Sequence, residues 1–308
     1  MELSQLRYLV AVADTGNFTR AAERCNVTQP SLSQQIINLE QEVGHKLFHR
    51  LGRKAVLTEA GATFLERARR IIFEVENAAK ELSDHPNLER RITVGAVQTV
   101  MPYLILPMLA RCRKELPNLT IDAREDFRSD LVRAVVEGEL DLAVVPLPVE
   151  DHRVSVEPIL TEPLLLVVGK DHPIAQRSEI SINEIAEENF ISLGSSSTLA
   201  EQIREFFGGQ NFTPRIGYRC AQVRTVKMLV EQGLGISILP QIARQDHDRD
   251  LVYLRLTGSE PTRDLAIIRH MQRYQSRGAE QFLALLRDHT REKHGIARTA
   301  EPPATQAG

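Results

Sequence analysis

Between positions 29 and 38 the side chains of Gln29, Ser31, Ser33, Gln34, Gln35 and Asn38 are amides and hydroxyls with almost no charge among them. Amides pair bidentately with adenine edges, and hydroxyls bond bases or phosphates, so this set is suited to reading the major groove of a DNA duplex. The alternative is a polar helix face with no partner, although a merely solvated face usually carries Glu and Lys. Arg50-Leu-Gly-Arg53-Lys54 follows, placing three cations around a tight turn where they could lie against phosphates. A third set is Ser195-Ser196-Ser197-Thr198, directly before the helical pattern Leu199–Phe207. Its hydroxyls and free first-turn amides would then meet at a helix N-terminus, which attracts anions. Thr99 opens another helical pattern in the same way, and Gln222 and Arg224 could add a donor and a positive charge. Ordinary helix caps, and a surface role for Arg224, are the competing readings.

The first two sets need a scaffold of short helices. Leu3, Leu6, Leu9 and Val12 recur at helical spacing until Gly16-Asn17, and Phe18–Arg24 turns Phe18, Ala21, Ala22 and Cys25 inward. After the turn Asn26-Val27-Thr28, a third helix starts with Thr28 as N-cap and Pro30 in the first turn, and runs to Val43-Gly44. Its stripe Leu32, Ile36, Leu39 and Val43 faces the core, which leaves the amide-rich set outside. A helix, a tight turn and a second helix with a polar outer face form a helix-turn-helix, and the basic turn beside it reads as a wing. Thr58-Glu59 opens a helix whose stripe, Ala60, Phe64, Ala68, Ile71, Val75, Ala78 and Leu82, continues for some 25 residues, about 37 Å. That length calls for a partner: either its own C-terminal domain or, as preferred, an antiparallel helix of a second subunit. Asp84-His-Pro-Asn reads as the hinge that ends it.

From Arg91 onward, strand-like and helical patterns alternate, which indicates a parallel α/β sheet. Val136–Pro146 and Val230–Pro240 echo one another: a helix end, a glycine turn, a buried strand and a proline stop. Two such units imply two lobes with a cleft between them.

Composition narrows the function classes. At 308 residues, 42% hydrophobic and 26% charged, the chain has the profile of a folded multidomain protein. Its apolar stretch Leu164–Gly169 is far too short for a membrane span, and the start shows no signal-peptide pattern, so a cytoplasmic location is expected. The net charge of -3 confines any nucleic-acid binding to a local surface. Cys25, Cys112 and Cys220 have neither disulfide nor metal-site spacing. No nucleophile elbow, His-Glu-x-x-His pattern or glycine-rich phosphate loop is present, so neither an enzyme nor a cofactor is expected.

Ala21-Ala22-Glu-Arg-Cys-Asn-Val-Thr-Gln29-Pro30-Ser31-Leu-Ser33-Gln-Gln35, continuing to Leu47-Phe48-His-Arg50 and Leu57-Thr58-Glu-Ala60-Gly61, resembles the DNA-binding signature of LysR-type transcriptional regulators. The resemblance implies an α/β chain with a winged helix-turn-helix (1–58), a linker and dimerisation helix with hinge (59–88), and a two-lobed effector domain similar to periplasmic binding proteins (89–291). Lobe I would take about 89–161 and 266–291, lobe II about 162–265, and a disordered tail 292–308. By position, Gln29, Pro30, Ser31, Ser33 and Gln34 would face the groove with Gln35 close by, and Arg50, Arg53 and Lys54 would hold phosphates or a minor groove. The implied partners are pseudo-palindromic double-stranded promoter DNA, further copies of the chain in a homodimer or homotetramer, RNA polymerase, and a small effector in the cleft. The residues expected around that effector are Thr99, Val100, Ser129, Ser195, Ser196, Ser197, Thr198, Gln222 and Arg224.

Within the family, Val94–Leu104, Asp171-His-Pro, and Leu251–Leu254 with Glu260-Pro-Thr-Arg are most similar to peroxide-sensing, OxyR-like members. Where those carry a histidine and a reactive cysteine, this chain has Ser197 and Thr198, and Phe206-Phe207 lie where the resolving cysteine would be. A hydroxyl cannot form a sulfenic acid or a disulfide, which points to a different effector, an anion. A redox-responsive regulator using another cysteine, Cys220 or Cys112, is the alternative.

Overall fold

The computed structural model describes residues 1–51, 54–83 and 90–294. Arg53, the hinge at 84–89 and the tail at 295–308 lie outside them. The chain falls into two compact units, residues 1–85 and 86–308.

In the first unit, α1 (Leu3–Thr15) ends at Gly16 in the left-handed region, α2 (Phe18–Arg24) is capped by the Asn17 carboxamide, and α3 (Gln29–Val43) is capped by Thr28. Leu32, Ile36 and Leu39 of α3 are fully buried against Leu9, Val12 and Ala21. Each such burial contributes roughly 1.5–3 kcal/mol. Strands β1 (Phe48–Leu51) and β2 (Lys54–Leu57) pair as an antiparallel ribbon. The Thr58 hydroxyl accepts from the Gly61 amide at 2.9 Å and donates to the Lys46 carbonyl at 2.7 Å, which fixes the start of α4 (Glu59–Ser83) on the base of the ribbon. At Gly61 a Cβ would meet the Leu47 carbonyl oxygen at 2.0 Å, so this approach requires glycine. The apolar stripe of α4 divides. Leu65 and Ala68 enter the core, with Arg69–Asp14 and Arg7–Glu76 ion pairs to α1, whereas Ile71, Val75 and Leu82 are exposed, Leu82 by 88%.

The second unit begins with β3 (Arg90–Ala96), a π-helical turn (Met101–Ile105) with Pro102 near its start, and α5 (Leu106–Glu115), with Pro107 near its own. Then come β4 (Leu119–Glu125), α6 (Arg128–Glu137), β5 (Leu142–Pro146), β6 (Val154–Gly169), β7 (Glu179–Ser181), β8 (Asn189–Leu193), α7 (Thr198–Gly209), β9 (Arg215–Cys220), α8 (Val223–Glu231), β10 (Ser237–Pro240), β11 (Leu251–Thr257), β12 (Thr262–His270) and α9 (Arg277–His294). Because α9 extends to His294, residues 292–294 are helical rather than part of a disordered tail.

The echo noted in the sequence is a repeated unit. β4, β3 and β5 are parallel neighbours, as are β9 and β8, and β8 bridges to the start of the next strand through Phe190 and Ile236. Gly138 and Gly233, both left-handed, turn each preceding helix into its buried strand. The sheet expected to be parallel is mixed. β6 runs antiparallel to β12, β10 and β11, and β12 antiparallel to β5. The first half of β6 packs with one hydrophobic core and its second half with another, so β6 and β12 carry the chain between two lobes. Strands buried on both faces read as apolar runs whatever their direction, which is why the pattern alone could not show this.

Candidate functional site

On α3, Gln29, Pro30, Ser31 and Gln34 are exposed, and the Gln34 carboxamide donates to Asn38 Oδ1 at 3.0 Å. Gln35 is half-buried and accepts from the Gln5 carboxamide at 3.0 Å, which ties the helix to α1. Ser33 is 9% exposed, so its expected outward placement is corrected: it directly follows Leu32, and the buried arc is wide enough to take it. Lys54 is exposed on β2. Arg50 lies in β1 with its side chain outside the described residues, as is all of Arg53.

One positioning residue was not visible in the sequence. Glu40, 5% exposed, accepts from the amides of Leu47 and Phe48 and from the Lys46 ammonium at 2.7 Å. Burial pushes its carboxyl up, but these donors outweigh it and hold the pKa below the usual range.

In the second unit the cleft is built from loops at the carboxyl ends of parallel strands, where ligands of α/β sheets bind. Val97, Gln98 and Thr99 follow β3, Asp126, Phe127 and Arg128 follow β4, and Ser196–Leu199 follow β8. Together they line a cavity of about 10 Å³, room for about one water. Across it Arg128 of α6 meets Glu201 of α7 at 3.3 Å, and the Gln202 carboxamide donates to the Leu147 carbonyl at 3.1 Å. These two contacts join the lobes beside the cavity. Ser197 is the N-cap of α7, and its side chain makes no cap hydrogen bond.

Thr99 is buried. Its hydroxyl accepts from Arg263 Nη1 at 2.8 Å and its carbonyl from Nη2 at 3.3 Å. Arg263, on β12, is fully buried and bonds Glu162 opposite it on β6, while Glu162 accepts from the Ile242 amide at 2.7 Å. This ion pair thus lies across the two strands that join the lobes. The cavity gathers Thr99, Ser196, Ser197 and Thr198 as expected, but not the others. Ser195, Ser129, Gln222 and Arg224 are exposed and do not line it, and Val100 is fully buried in the core of lobe I. The cation at the cavity is Arg128 rather than Arg224; an arginine at a helix start gave no signal in the sequence.

The three thiols are free, Cys112 buried and Cys25 and Cys220 half-buried. Burial raises the pKa of all three, and at Cys112 Glu115 adds to that rise. Among the described residues, no group of three His, Cys, Asp or Glu could hold a metal, and no helix is long and apolar enough to cross a membrane.

The paired architecture of helix-turn-helix and two-lobed sheet defines a class. Residues 3–62 match the model of bacterial regulatory helix-turn-helix proteins of the lysR family, and residues 85–291 match the LysR substrate binding domain. An uncharacterized HTH-type transcriptional regulator, YcgK of Bacillus subtilis, is 30% identical with 94% of each chain covered. The DNA-binding transcriptional dual regulator OxyR of Escherichia coli is 31% identical over 87% of this chain and 89% of its own. Full-length OxyR of Pseudomonas aeruginosa, solved with a cysteine-to-aspartate substitution, superposes with a TM-score of 0.73 at 27% identity, covering 98% of this chain and 99% of that one.

The chain belongs to the LysR family. It is a DNA-binding transcriptional regulator with an effector-binding domain, and the family is one of regulators rather than enzymes.

Proposed function

We propose that the protein regulates promoters in response to a small anion held between the two lobes. The observation that carries this reading is the small cavity lined together by Thr99, by Ser196–Thr198 at the N-terminus of α7, and by Arg128. Thr99 Oγ1 already accepts from Arg263, so its own hydrogen is available to donate to a ligand. The amides of the first turn of α7 add donors and positive potential, and the Arg128 guanidinium adds donors while sharing its charge with Glu201 at 3.3 Å. Asp126 also lines the cavity, but its charge is taken up by Arg124 at 3.0 Å. At about 10 Å³ the cavity holds only about one water, so an inorganic anion or a short carboxylate enters as the lobes part.

On the DNA side, Gln29, Pro30, Ser31 and Gln34 meet base edges, while Arg50, Arg53 and Lys54 contact phosphates. The protein acts in the cytoplasm as a homodimer or homotetramer, pairing through the exposed stripe of α4, and touches RNA polymerase at pseudo-palindromic sites. Effector binding shifts the arrangement of subunits by its difference in affinity for two states.

A thermal-shift titration with inorganic anions and short carboxylates tests the effector. A ligand at about 100 times its Kd stabilises by roughly 2.7 kcal/mol. The expected result is a saturable rise in Tm with one anion that Thr198→Val abolishes. No rise with any anion, or one that Thr198→Val leaves unchanged, would reject the cleft as the anion site.

A further inference from the structure

A second concavity lies outside the Thr99 cavity. Tyr103, Gln241, Arg244, Asp246, Leu251 and Tyr253 are among the residues that line a groove of about 560 Å³, well within the range of small-molecule sites. Its floor is fixed. Lys227, 7% exposed, donates to Asp248 Oδ2 at 2.6 Å and to the Ala243 carbonyl, and the Tyr253 hydroxyl and the Gln245 amide donate to the same carboxylate oxygen at 2.6 and 2.8 Å. The Lys227 ammonium lies 5.6 Å from the centre of the Tyr103 ring and 6.0 Å from that of Tyr253, holding both aromatic faces in place. Burial, with Asp248 nearby, pushes the Tyr103 phenol up to about 12, so it stays neutral. Lys227 and Asp248 cancel one another, and the floor carries no net charge.

The rim carries two further charges of opposite sign. The Arg244 guanidinium stacks 5.6 Å from the centre of the Tyr253 ring, and neither Arg244 nor Asp246 has an ion pair among the described residues. The wall that presents them is pinned by the Arg244 amide bonding Gln241, by the Asp248 amide bonding Gln245 and by the Ile242 amide bonding buried Glu162. A simple anion would satisfy Arg244 and face Asp246 without a partner; a simple cation would do the reverse. A molecule bearing both charges, with an apolar part for Tyr103, Tyr253 and Leu251, satisfies all three features.

We propose that this groove binds a free α-amino acid with a neutral side chain, its carboxylate on Arg244 and its ammonium on Asp246. Tyr103 belongs to the turn after β3, while the rest of the lining follows β10 or lies on β11, so the occupant touches both lobes.

Calorimetric titration of the full-length protein with neutral L-amino acids tests this, using their N-acetyl and carboxamide derivatives as controls. The expected result is saturable binding of at least one amino acid. That binding should weaken tenfold or more when either end of the ligand is blocked, and equally in Arg244→Ala or Asp246→Asn, while Thr198→Val leaves it unchanged. No binding by any of them overturns the proposal. So does binding that survives the Arg244→Ala, Asp246→Asn double variant, or binding abolished by Thr198→Val, which would place the ligand in the other cleft.

Discussion

The Glu40 carboxylate, near the end of α3, accepts a hydrogen bond from the Leu47 amide at 2.9 Å, so the exposed helix and the start of the wing are held by one buried charge. The same oxygen reaches the Phe48 amide, and the other takes the Lys46 ammonium. The end of α3 and the first strand of the ribbon are thereby kept in fixed register.

Glu40→Ala should destabilise the DNA-binding unit by about 1.5–3 kcal/mol, the cost of losing hydrogen bonds to a buried charged group. Because its folded pKa lies below the ordinary 4.5, the stabilisation is complete above that value and is lost as pH falls through the folded pKa. Denaturant melts from neutral pH downward should therefore show a steeper acid loss for the native chain than for the variant. Parallel curves would remove Glu40 from this role.

Gln34→Ala should weaken operator binding by about 1–3 kcal/mol while leaving nonspecific DNA binding unchanged. Ser33→Ala, at a buried position, should alter stability more than sequence preference. Lys54→Ala should weaken binding to every sequence and lower the salt slope by about one. Gel-shift titrations on specific and scrambled duplexes separate the three; a Ser33→Ala loss confined to the operator would contradict the burial argument.

Breaking the ion pair between the lobes should be costly. Glu162→Ala leaves a fully buried Arg263 without its counter-charge, a loss of about 3–5 kcal/mol, whereas the double replacement Glu162→Leu, Arg263→Met should recover much of it. Thermal melts of the three variants decide this. A single variant as stable as the native chain would mean that water or relaxation compensates the charge.

The exposed stripe of α4 predicts assembly. Val75→Glu with Leu82→Glu places charges on residues that already face away from the core, so folding should persist while dimers dissociate. Light scattering after size exclusion gives the mass directly. An unchanged oligomer would move the subunit contact away from this helix.

Local order was legible because its signals are local. Thr28, Pro30 and Gly44 bound α3, and the spacing of Leu32, Ile36 and Leu39 sets its inner face. The echo around Gly138 and Gly233 revealed the repeated unit for the same reason. What stayed hidden depends on partners distant in sequence. Glu40 reads as a solvated acid until Leu47 folds over it, and Arg128 as a surface cation until Glu201 arrives from the other lobe. Arg263 lies about a hundred residues from Glu162, and only the antiparallel passage of β6 and β12 brings them together. The burial of Ser33 is hidden in the same way, because the buried arc of α3 is wider than the Leu32, Ile36 and Leu39 stripe that the spacing marks.

The return of the chain through β12 has a consequence for synthesis on the ribosome. Lobe I draws β3, β4 and β5 from the start of the effector unit, but it takes β12 and α9 from the end. Roughly 170 residues separate β3 from β12, and at about 5–20 residues per second some 8–35 seconds pass between their emergence. The DNA-binding unit is contiguous and complete well before that. Each nascent chain thus carries a finished DNA-reading head on an unfinished sensor, and the effector can gain control only after the last helix has been made.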